Sequence, residues 1–192
     1  MLRMGADPGE AYAREKVSAI IKSIGTIKQL PEANQPFPNP LAHGTIADHI
    51  SARFIDALGQ MKGASSYLRD ITSKAKGEAQ WCVLIARAKR GDTSVKEELY
   101  KIIRNLNAGL MRAWAAGAFQ HIGTLGDLSF LQELVETDPL SVEVYKKLRR
   151  LGEKPTEKFY PVRFRAQLAI KKIEKKSKEK GGEVNNIPGK FL

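Results

Sequence analysis

Apolar residues recur at three- and four-residue intervals along most of this chain, and that period predicts helices rather than strands. Over residues 9–30, Ala13, Val17, Ile20, Ile21, Ile24 and Ile27 form one such stripe, with Gly25 weakening its last turn. The stripe ends at QLPEANQPFPNPLAHG, which holds four of the nine prolines. Each proline removes a backbone N–H and biases its predecessor towards extended geometry, so residues 31–40 read as a linker or wrapping segment. Thr45 and Asp48 make a capping-box-like start to the next helix, whose stripe is Ile46, Ile50, Phe54, Ala57, Leu58 and Met61, with Gly63 as its stop. A short helix over Ser65 to Lys76 follows, burying Tyr67, Leu68 and Ile71.

From residue 78 the pattern is denser and recurs. EAQWCVLIARAKRGD predicts an alanine-containing apolar helix closed by Gly91-Asp92, and TSVKEELYKIIRNL a more amphipathic one with Val95, Leu99, Ile102 and Ile103 inward. MRAWAAGAFQHIG repeats the first kind of helix. Gly126-Asp127 marks the next turn, and LSFLQELVET brings Leu128, Leu131, Leu134 and Val135 onto one face. The two Gly-Asp pairs lie 35 residues apart, a period expected of helical repeats, with Gly for a tight turn and Asp as the cap of the following helix. A third copy of the first helix, VRFRAQLAIKKI at 162–173, matches Arg112 with Arg163, Ala115 with Ala166, Ala118 with Ala169 and Ile122 with Ile173. Pro161 precedes it, as suits a helix start.

Paired helices of this kind bury their apolar faces only by stacking on neighbouring pairs, and alanines and glycines let the backbones approach closely. Residues 111–139 and 162–173 here resemble the HEAT-repeat family in its bacterial short-repeat form, and 79–104 resemble it loosely. The resemblance implies an all-α chain, a right-handed α-solenoid of HEAT-like helical pairs over 78–175. Residues 1–77 then form an N-terminal helical cap or an unrelated helical hairpin, and 176–192 a basic flexible tail. Two departures stand out: Thr124-Leu125 looks like an insertion in its turn, and the third copy follows after 51 residues, not 35. The resemblance also suggests that Arg112 and Arg163 tie one unit to the next through carboxylates.

Composition changes this picture only in part. The chain has 192 residues and a formal charge of +11, favouring acidic partners. Yet residues 1–96 hold 14 Lys/Arg against 9 Asp/Glu and residues 97–192 hold 18 against 12, so no block dominates. Cys82, the single cysteine, lies in the apolar run WCVLIA and reads as a small buried hydrophobe. No apolar run is long enough to cross a bilayer, and the N-terminus carries no apolar export core. A soluble protein without membrane insertion is expected, cytoplasmic if the chain is full length.

Candidate chemistry is sparse. His43, His49 and His121 lack metal-ligand spacing, and no phosphate loop or nucleophile motif is present, so no catalytic residue, metal or cofactor is expected. The expected role is a non-enzymatic protein-protein interaction scaffold. Its partner is a protein with an acidic surface, met by Lys96, Lys101, Arg104, Lys146, Lys147, Arg149 and Arg150 on and after the second helices. Trp81 and Trp114, 33 residues apart on successive first helices, either pack in the core or form an aromatic face. The second option resembles the arrangement in HEAT-like alkylpurine DNA glycosylases and leaves nucleic-acid binding as the alternative. Otherwise nucleic acid should bind weakly and without specificity.

Overall fold

In the computed structural model the described residues are 46–61, 64–144 and 157–183, together with the single positions 15, 16, 18, 19 and 22. Those five positions are helical and exposed. The rest of the 9–30 stripe, the proline-rich 31–40, Lys146, Lys147, Arg149, Arg150 and the tail beyond 183 lie outside the described residues.

Seven α-helices occur among the described residues: α1 Ile46–Gln60, α2 Ser65–Thr72, α3 Gly77–Lys89, α4 Lys96–Arg104, α5 Met111–Ile122, α6 Leu128–Thr137 and α7 Pro161–Glu183. Short 3-10 turns, Thr93–Val95 and Leu125–Asp127, lead into α4 and α6. α7 runs on through 176–183, so the expected tail begins as helix. The fold is helical apart from one feature that the helical period did not predict. Strands β1 Val142–Val144 and β2 Glu157–Phe159 pair antiparallel, with Val142 opposite Phe159. The Asp138-Pro139 pair ends helical geometry, and the alternation Val-Glu-Val suits a strand.

The helices pack in a regular order. α1 lies against α3, α3 against α5 and α5 against α7, a row of neighbours. Each remaining helix packs chiefly on the row member that follows it: α2 on α3, α4 on α5 and α6 on α7. α1 and α2 thus join the same packed body as the later helices, with Ile55 of α1 in the main core beside Leu84, Ile85 and Leu99. On α1, Ala52, Ile55 and Leu58 are buried while Ala57 is exposed, which turns the helix slightly from the expected stripe.

Burial coincides along the row. At an offset of 33 residues Cys82, Val83, Ile85 and Ala86 of α3 correspond to Ala115, Ala116, Ala118 and Phe119 of α5, and all eight are buried. At an offset of 51, Met111, Ala115, Ala118 and Ile122 correspond to Val162, Ala166, Ala169 and Ile173 of α7, again all buried. Small side chains make this possible, because α5 lies between two helices and must admit both. Gly123 shows how close the approach is: a methyl group there would lie 2.5 Å from Ile173 Cδ1 and 2.5 Å from the Phe119 carbonyl oxygen. Phe119 is fully buried, and burying a side chain of that size contributes roughly 1.5–3 kcal/mol.

The two Gly-Asp pairs, in contrast, are not equivalent. α4 begins at Lys96 and α6 at Leu128, 32 residues apart rather than 35. Asp92 precedes its 3-10 turn as N-cap, accepting from Ser94 N at 3.1 Å, whereas Asp127 is the last residue of its own turn. The N-cap there is Thr124, in a capping box with Asp127. Gly91 has φ +85°, a left-handed conformation, and Gly126 has no such angle. Thr124-Leu125 is therefore no insertion: Thr124 stands four residues before α6, as Asp92 stands four before α4, and does the same capping. The 35-residue spacing carries no argument for a repeat; the burial coincidence does.

Candidate interaction surfaces

The turn carboxylates are structural. Asp92 accepts from the Arg87 guanidinium at 2.9 and 3.1 Å, from Arg69 at 3.3 Å and from the Ser94 hydroxyl at 2.6 Å. Burial pushes its carboxyl up, but the bonds from Ser94 and Arg87 outweigh this and hold it at about 2. Asp127 is buried and accepts from Lys96 Nζ at 2.8 Å, Thr124 N at 2.6 Å, Thr124 Oγ1 at 2.9 Å and the Tyr100 hydroxyl. Burial raises its carboxyl, and the bonds from Lys96, Tyr100 and Thr124 lower it further than burial lifts it. Tyr100 is pushed up by burial and by its bond to Asp127. Lys96 is accordingly half-buried and paired, not presented as a free cation.

A second node lies below α6. Arg112 and Asp138 are both buried and form an ion pair, with Arg112 also donating from Nε to the Ile103 carbonyl at 2.6 Å. Asp138 accepts from Leu140 N at 3.0 Å, and its own carbonyl accepts from Arg163 Nε at 2.7 Å. One aspartate thereby joins the end of α4, the start of α5, the end of α6 and the start of α7. Arg112 ties elements together through the Asp138 carboxylate, whereas Arg163 does so through the Asp138 backbone carbonyl and not through a carboxylate.

Above this node opens a groove of about 320 Å³ between α4 and α6. Ile103, Leu134 and Phe130 supply apolar walls, and Arg104 and Glu133 stand at it. Tyr100 meets Phe130 edge-on at 4.8 Å and Phe119 at 5.2 Å between ring centroids. The Arg104 guanidinium lies 5.5 Å from the Tyr100 centroid and 5.2 Å from that of Phe130, so an exposed cation is held in place by two rings. Leu106 lines the same groove and is 66% exposed. Lys101, exposed on α4, pairs with Glu98 at 2.6 Å, which raises its affinity for its proton.

The first helices present another surface. Trp81 and Trp114 are both half-buried, packed on the core with part of each ring outside it. At the offset of 51 the residue corresponding to Trp114 is Arg165, whose guanidinium lies 4.6 Å from the Trp114 ring centroid. Burial lowers the Arg165 pKa, against an opposing pull from Asp56. His121 is pushed down first by burial and then by Lys89, Lys176 and Lys172. Among the described residues no group of three or more His, Cys, Asp or Glu is placed to hold a metal ion. Nor is any described helix long and apolar enough to cross a membrane.

No family model matches the chain, and no curated protein or solved structure matches it. The geometry therefore carries the functional reading. Of the basic residues singled out in the sequence, Arg104 and Lys101 are exposed on α4, Lys96 is half-buried and paired with Asp127, and the four between 146 and 150 lie outside the described residues. Leu106, Phe130, Asp138 and Arg165 were not singled out. Leu106 could have been noticed as a leucine in the polar turn NLNAG, and Arg165 as the partner of Trp114 in the alignment of 111–122 with 162–173.

Proposed function

We propose that this chain is a non-enzymatic protein-interaction module, a short HEAT-like α-solenoid that receives a partner protein in the groove between α4 and α6. Support for a solenoid comes from the row α1, α3, α5, α7 and from the matching burial along it. One observation carries the site: Leu106, 66% exposed, beside a groove walled by Phe130 and Leu134 and edged by the ring-held Arg104. A single exposed leucine on a surface is ordinary. In a concave setting with aromatic and arginine neighbours it has the make-up of an interaction hot spot. The charge of +11, with Arg104 and Lys101 near the groove, favours a segment that offers an apolar side chain flanked by carboxylates.

Affinity capture with wild type, Leu106→Asp and Arg104→Glu chains tests the reading, with folding checked by circular dichroism. Both substitutions change surface groups and should leave the helices intact. The same partner recovered with all three chains would discard the groove. The glycosylase-like alternative would use the Trp81–Trp114 face, where Arg165 already covers one face of the Trp114 ring and closes it to a stacking nucleobase.

A further inference from the structure

Independently of the α4–α6 groove, we propose that the cleft around Arg165, between α3, α5 and α7, binds a phosphate-class oxyanion. The cleft has a volume of about 160 Å³ and is lined by Lys89, Trp114, Gly117, Gln120, His121 and Arg165 among others. A liquid water occupies roughly 30 Å³, and pockets for drug-sized ligands begin at roughly 300 Å³, so this space suits one tetrahedral group rather than a whole nucleotide.

Three features point to an anion. Arg165 is half-buried and, among the described residues, has no hydrogen-bond or ion-pair partner for its five donors. Every other well-buried arginine among the described residues is tied: Arg112 to Asp138 and Ile103, Arg87 to Asp92 and Thr72, Arg90 to Ser65, Gly59 and Met61. Second, the fold makes room for it. Gly117 sits mid-helix, where glycine costs about 1 kcal/mol against alanine, and a Cβ there would lie 3.3 Å from Arg165 Cδ. Third, the surrounding charge is positive. Lys89, Lys172 and Lys176 all act on His121, while Asp56, the carboxylate that favours the charged Arg165, is already bound to Lys89. Lys176 adds a donor to the Gln120 carbonyl at 2.7 Å, which fixes α7 against the end of α5.

An arginine laid over Trp114 for packing alone would give a cation–ring contact worth about 0.5–1 kcal/mol and need no ligand. The two accounts separate experimentally. Trp81→Phe leaves Trp114 as the sole tryptophan, so its emission reports on the cleft. Inorganic phosphate and glycerol phosphate are titrated separately at constant ionic strength near 150 mM and pH 7, with chloride as the comparison anion, following Trp114 emission and the phosphorus NMR signal. The proposal expects a saturable change with phosphate but not chloride, and a midpoint at least tenfold higher for Arg165→Gln. Gly117→Ala retains every charge but displaces the guanidinium, and should weaken binding several-fold; Lys101→Gln, outside the cleft, should not. Tighter binding of the ester than of free phosphate identifies an ester as the ligand, and equal binding identifies the free ion. A change that chloride reproduces, one that does not saturate, or one that Arg165→Gln leaves intact overturns the proposal.

Discussion

Removing one partner of the Arg112–Asp138 pair should be the most damaging polar substitution in the described body. Arg112 is 4% and Asp138 3% exposed, so neither group has water to fall back on. Asp138→Asn leaves a buried guanidinium facing a neutral amide. Arg112→Met leaves the Asp138 carboxylate with only the Leu140 N–H and also orphans the Ile103 carbonyl, one of the last in α4. Breaking a buried pair from one side costs about 3–5 kcal/mol, far more than loss of an exposed pair such as Lys101–Glu98. At roughly 2–4 °C per kcal/mol for a domain of this size, each single variant should melt on the order of 10 °C lower. The double variant Arg112→Met with Asp138→Leu removes both charges, and a buried pair replaced by apolar groups is often close to neutral. It should therefore be more stable than either single variant. Urea unfolding followed at 222 nm gives all four stabilities. The reasoning fails if either single variant loses less than about 1 kcal/mol, or if the double variant loses the sum of the two.

Gly91→Ala should destabilise by about 1–2 kcal/mol because its φ of +85° is left-handed, whereas Gly126→Ala, with only Thr124 Oγ1 at 3.8 Å, should be neutral or slightly stabilising; thermal melts of the two variants check this, and equal losses would restore the two Gly-Asp pairs as equivalents. Asp92 has its folded pKa depressed from 3.8 to about 2, so its contribution is complete above pH 3.8 and lost as pH falls through about 2. The stability gap between wild type and Asp92→Asn in acid urea titrations should close over that window, and a gap that is constant with pH would contradict it. Duplex or single-stranded nucleic acid should bind in the micromolar range or more weakly and be released between about 50 and 200 mM salt, measured by fluorescence anisotropy; nanomolar binding at 150 mM salt lost on Trp114→Ala would favour the nucleic-acid alternative.

How much of this was legible in the sequence depends on the kind of signal. Ala115, Ala118, Ile122 and their counterparts in α7 announce a buried stripe, because the helical period is a property of the sequence itself. The Gly-Asp pairs mislead for a physical reason: the dipeptide is compatible with both a left-handed turn and a 3-10 turn, and only the backbone distinguishes Gly91 from Gly126. Charge is read no better. Lys96 and Lys101 look alike in sequence, yet one is taken up by Asp127, 31 residues away, and the other pairs with its neighbour Glu98. Such long-range pairings leave no local trace. The β1–β2 ribbon was hidden by its length, since three residues of alternation do not rise above the helical pattern around them. Leu106 and Arg165 leave a faint trace in the sequence, a leucine in a polar turn and a position aligned with Trp114, but their surroundings come from helices distant in the chain.

Site-specific photo-crosslinking addresses the interaction groove most directly. A photoreactive residue is placed at position 106, at the groove, or at position 171, an exposed place on α7, and each chain is irradiated in native lysate. The account predicts a discrete adduct from position 106 that disappears when Arg104→Glu is added, with no such adduct from position 171. The same adduct from both positions, or from position 171 alone, would contradict it.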